Sequence, residues 1–64
     1  MRKYRAMITR DRGPVEDWGF YDLMVHEGTV MIRTLESTEP GGFDTFLAPG
    51  TWRQIEDLEV IEED

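Results

Sequence analysis

Alternation at period two constrains this chain more than any other feature of its sequence. Tyr4, Ala6 and Ile8 fall on one side of an extended segment, with Lys3, Arg5, Met7 and Thr9 on the other, the pattern of a strand with one buried face. A disordered basic tail has no need of it. The stretch FYDLMVHEGTVMIRTL reads as two further strands, over 19–26 and 29–36. They are joined at Glu27 and Gly28, a two-residue connection in which Gly takes the positive φ of a tight hairpin. On the first, Tyr21, Leu23 and Val25 oppose Phe20, Asp22, Met24 and His26; on the second, Val30 and Ile32 oppose Met31, Arg33 and Leu35. Neither strand divides cleanly into apolar and polar faces. That points to a strongly curved sheet with interior on part of both sides, or to a surface meant for a partner.

Between these strands, DRGPVEDWG is punctuated by Gly13, Pro14 and Gly19 and reads as a loop of roughly eight to ten residues. ESTEPGG reads as a second loop, and FDTFLA as a short strand rich in aromatic and β-branched residues. The period then changes. Trp52, Ile55 and Leu58 recur at spacing three, and Thr51 has the position of a cap with Gln54 reaching back, so a short helical turn is expected near residues 51–57. A final strand, LEVIEE, follows. The expected fold is mainly β, a single small domain over residues 1–64: a five-stranded antiparallel barrel-like or roll fold with one short helical turn. In element order the chain resembles the small five-stranded Src-homology-type barrel. That likeness implies a fold and no function, since the peptide-binding residues of that family have no counterpart here.

With 64 residues and no cysteine, the chain has no disulfide framework and no Cys/His zinc pattern. A chain of this size buries only about 60% of the surface exposed when unfolded, so burial of Phe20, Tyr21, Phe43, Phe46 and Trp52 carries the fold. Exposed strand edges make a homodimer a further expectation. No apolar run exceeds three residues, and the charged opening lacks a signal peptide's apolar stretch. No membrane partner and a cytoplasmic location are expected.

Charge is unevenly placed. Residues 1–12 carry Arg2, Lys3, Arg5, Arg10 and Arg12 against Asp11, plus four; residues 13–64 carry Arg33 and Arg53 against thirteen acids, minus eleven; the whole chain is minus seven. Such a balance repels nucleic-acid phosphate in general. The first and last strands of a small barrel often lie side by side, and here Lys3 and Arg5 would meet Glu59, Glu62 and Glu63, so the basic opening is explained inside the fold.

Catalysis needs a nucleophile, or an acid and a base, held close together. His26 beside Glu27 reads as an exposed turn neighbour, Ser37 lies outside any nucleophile motif, and EPGGFD lacks the spacing and Lys of a phosphate loop. Acid neighbours such as Glu62 and Glu63 point to opposite faces of a strand and lack calcium-loop spacing. No cofactor, metal or enzymatic activity is expected. The leading expectation is a protein-interaction module or inhibitor whose acidic surface binds a basic protein, as a mimic of nucleic-acid charge of the kind phages direct against host machinery. Its candidate partner-binding residues are Glu16, Asp17, Trp18, Glu56, Asp57, Glu59, Glu62 and Glu63. The alternatives are a reader of cationic peptides, with Trp18 and Tyr21 caging a cation beside Glu16 and Asp17, and a nucleic-acid-binding barrel that uses the basic first strand.

Overall fold

The structure, a computed structural model, describes residues 2–38 and 41–63. Five strands form one antiparallel sheet: β1 (Lys3–Arg10), β2 (Val15–His26), β3 (Thr29–Thr34), β4 (Thr45–Leu47) and β5 (Trp52–Glu62). Their order across the sheet is β4-β3-β2-β1-β5, so the first and last strands are neighbours. The sheet curls but does not close into a barrel. Among the described residues there is no helix, and hence none long and apolar enough to cross a membrane.

The turn between β2 and β3 is the one the sequence announces. Glu27 and Gly28 both have positive φ, 50° and 83°, and His26 pairs directly with Thr29. Two left-handed residues give a turn whose twist matches that of the flanking strands. The connection before β2 is shorter than expected, occupying only 11–14. The rest of the expected loop belongs to β2, with Ala6 opposite Trp18 and Arg5 opposite Gly19. Gly19 is a strand residue whose missing side chain makes room for another: a Cβ there would stand 2.9 Å from Cδ1 of Leu35. Of the second expected loop, residues 39 and 40 lie outside the described residues.

Tyr21 explains why β2 has no clean apolar face. Phe20 pairs with Thr34 and Asp22 with Arg33, so Tyr21 is an extra residue, a β-bulge that reverses the alternation. Before it Trp18 and Phe20 point inward; after it Leu23 does, opposite Ile32. One bulge turns two mixed faces into one apolar face, and it also bends the strand, letting the β2–β3 hairpin fold toward β5. There Nε1 of Trp52 donates to the Gly28 carbonyl at 2.8 Å.

Bulges also replace the expected helical turn. At three places two steps along β1 match three along β5: Arg10 and Ile8 oppose Trp52 and Ile55, Met7 and Arg5 oppose Glu56 and Glu59, and Arg5 and Lys3 oppose Glu59 and Glu62. The spacing of three in Trp52, Ile55 and Leu58 is thus a period of two with one residue added each time. Asp57, with φ 57°, sits in the middle bulge. Thr51 caps no helix; its N–H and hydroxyl both donate to the Ala48 carbonyl, at 3.1 and 2.6 Å, closing the turn into β5.

The core lies inside the curl. Ala6, Ile8, Phe20, Val30, Ile32 and Leu47 are buried, with Tyr4, Trp18, Leu23, Trp52 and Ile55 packed against them. The Tyr4 and Phe20 rings stack at 5.8 Å. Three residues depart from the expected core: Phe46 points outward from β4 and is 59% exposed, and Tyr21 and Phe43 lie outside the core cluster. Both sheet edges are blunted, β4 by its length of three residues and β5 by its bulges and charges. These features oppose edge-to-edge pairing, the route by which a homodimer was expected.

Candidate interaction surface

The outward face of β2, β1 and β5 is a ladder of ion pairs. β1 presents Lys3 and Arg5 at spacing two, and the bulges of β5 present Glu56, Glu59 and Glu62 at spacing three, so bases and acids stay in step. Arg2 meets Glu63 at 2.7 Å, Lys3 meets Glu62 at 3.3 Å, and Arg5 is shared between Glu59 at 3.4 Å and Asp17. On the opposite face, in the row of Ile8 and Trp18, Arg10 reaches Glu16 at 3.2 Å and also donates to the Thr51 carbonyl at 2.9 Å, while Arg53 faces Asp11 at 3.6 Å. Most of these groups are well exposed, so each pair contributes about 0.2–1 kcal/mol at low salt. Their effect on the surface charge is larger than their effect on stability.

Five of the seven bases are occupied in this way. Arg33 lies over the Tyr21 ring, 5.2 Å from its centroid, and Arg12 makes no ion pair among the described residues. On the acidic side Asp22, Glu27, Glu36, Asp44, Glu56 and Asp57 have no base within ion-pair distance among the described residues. The surface outside the ladder is therefore negative.

Of the residues singled out from sequence, Asp17, Glu59, Glu62 and Glu63 are members of the ladder, and Glu16 pairs with Arg10 on the core-side face. Glu56 accepts a hydrogen bond from Gln54 at 2.8 Å, and Asp57 occupies its bulge. Trp18 is not a loop anchor. It is half-buried on β2, and its Nε1 donates to Glu16 at 3.2 Å.

β2 and β5 flank β1, and on the inner face of the sheet they leave a seam between them over Tyr4. Between the second half of β2 and the middle of β5 runs an open apolar groove of ≈ 300 Å³, lined by Tyr4, Phe20, Tyr21, Asp22, Leu23, Ile55 and Leu58. Leu58 forms an exposed lip, with Val60 and Ile61 exposed farther along β5. The larger hollow near the β3–β4 connection, ≈ 400 Å³, is polar and includes Glu36, Phe43 and Asp44. Asp44 is already engaged: it accepts from the Thr34 hydroxyl at 2.5 Å and the Thr34 N–H at 3.0 Å. Those two bonds, the hydroxyl's foremost, hold its pKa below the ordinary aspartate value.

Sequence reading missed the groove because its walls come together only through two bulges. The signal was present as the mixed faces of 19–26 and the spacing of three in 52–58. Among the described residues no three His, Asp or Glu side chains stand close enough to hold a metal ion. Compared with protein-family models, curated proteins and solved structures, the chain matches none.

Proposed function

We propose that this chain is a non-enzymatic protein-interaction module whose acidic surface binds a basic partner protein, in the manner of a nucleic-acid charge mimic or an inhibitor of a nucleic-acid-binding protein. The observation that carries this reading is the internal use of the bases: five of seven are held in ion pairs, while six described acids have no such partner. A negative surface steers and holds a cationic partner in a salt-dependent way.

Two observations favour this over the alternatives. A cage for a foreign cation built on Trp18 and Tyr21 is opposed by the packing of Trp18 into the core and by Arg33 on the Tyr21 ring. A nucleic-acid reading needs free bases on the first strand, and Arg2, Lys3, Arg5 and Arg10 each meet a carboxylate.

The test is calorimetric titration with an oligolysine peptide and with a short DNA duplex. Oligolysine binding that falls several-fold between about 0.05 and 0.5 M salt, with no DNA binding, supports the proposal. DNA binding that is lost when Arg2, Lys3 and Arg5 are replaced by Gln overturns it.

A further inference from the structure

The seam groove has the features of a receptor for one side chain. Its floor is aromatic and aliphatic, from Tyr4, Phe20, Leu23 and Ile55, and Leu58 stands at its lip 65% exposed. An apolar side chain left in water beside an unfilled apolar groove is a site where a partner gains by covering both. At ≈ 300 Å³ the space lies at the bottom of the range for small-molecule sites, and suits a single large side chain better than a cofactor.

Charge decides what kind of segment carries that side chain. Asp22 lines the groove on the β2 side, and Asp57 precedes Leu58 on the β5 side. Neither has a base within ion-pair distance among the described residues. A second copy of this chain would bring the same acids against them, at minus seven per copy, and the blunted edges oppose strand pairing. A basic segment is attracted by both acids and meets one base on the β2 side, Arg33, which lies over the Tyr21 ring across from Asp22. The flank of the groove also shows the matching chemistry, because β1, the strand that β5 already accepts, alternates apolar and cationic residues.

We infer that the seam groove between β2 and β5 anchors one large apolar side chain, of the Leu or Phe type, borne between Lys or Arg residues on the basic partner. This deepens the proposed function and rests on it. The anchor supplies affinity that salt does not remove, and Asp22 and Asp57 orient the flanking cations.

The test uses fluorescein-labelled synthetic peptides with one Leu among Lys and Arg residues, the same peptide with Ser for Leu, and fluorescence anisotropy. Burial of a leucine side chain implies about ten-fold tighter binding of the Leu peptide. Leu58→Ser, at an exposed position that leaves the core intact, is expected to abolish this preference while retaining Ser-peptide binding. Met24→Ser, on the outer face where Met24, Met31 and Phe46 are aligned across three strands, is expected to leave it unchanged. Equal binding of the Leu and Ser peptides, or a preference that survives Leu58→Ser and is lost in Met24→Ser, overturns the groove as the anchor and leaves the acidic surface standing. Failure of both peptides to bind at low salt overturns the acidic reading together with the anchor.

Discussion

Asp57 separates the bulged strand from the helical turn by the sign of one difference. Its φ of 57° is left-handed, a region that costs a residue with a Cβ about 1–2 kcal/mol, Asp and Asn somewhat less, and glycine nothing. Replacement by Gly relieves that cost and replacement by Ala raises it. Both variants remove the same charge, so electrostatics cancel between them, and Asp57 is exposed, so little packing changes. After allowance for the greater freedom of glycine in the unfolded chain, the Gly variant is expected to be about 1 kcal/mol more stable than the Ala variant. In a helix the order is reversed, Ala exceeding Gly by about 0.8–1 kcal/mol. For a domain of this size 1 kcal/mol moves the melting temperature by about 4–8 °C, well within the reach of circular dichroism. An Ala variant that melts at or above the Gly variant refutes the bulge at Asp57 and restores the helical turn.

Three further outcomes are expected. Glu27, also left-handed at φ 50°, is better served by Asn, and Glu27→Asn should raise stability by about 0.5 kcal/mol in urea titrations; a loss would contradict the turn assignment. A double-mutant cycle on Arg5 and Glu59, paired at 3.4 Å, should give a coupling of about 0.2–1 kcal/mol at low salt that shrinks toward zero in about 1 M salt. Asp44 has a folded pKa below its unfolded one, so its contribution is complete above the unfolded value and lost as pH falls through the folded value. The stability difference between wild type and Asp44→Asn should therefore be largest near neutrality and vanish in acid; a constant difference would remove Thr34 as the cause.

The two hairpin partners and the pairing of chain ends were legible because each rests on local chemistry: alternation in Tyr4, Ala6 and Ile8, the glycine at 28, and opposite charges on β1 and β5. What was not legible is where one residue too many enters a strand. A bulge at Tyr21 makes a single apolar face look mixed, and bulges along β5 give a strand the spacing of a helix. Such insertions are fixed by the partner strand, which a segment read alone does not contain. The same reason hid the groove, whose walls are β2 and β5. The loop assigned to VEDWG erred differently, by taking Gly19 for a turn when it is the place where Leu35 covers the sheet.

The most direct measurement is a residue-resolved nuclear magnetic resonance titration at low salt, with oligolysine in one arm and a DNA duplex in the other. Oligolysine should shift amides around Asp22, Glu56 and Asp57, and DNA should leave residues 2–10 unmoved, because their cations are already held by the chain's own carboxylates. Continuous DNA-induced shifts along residues 2–10, with none from oligolysine, would contradict that account.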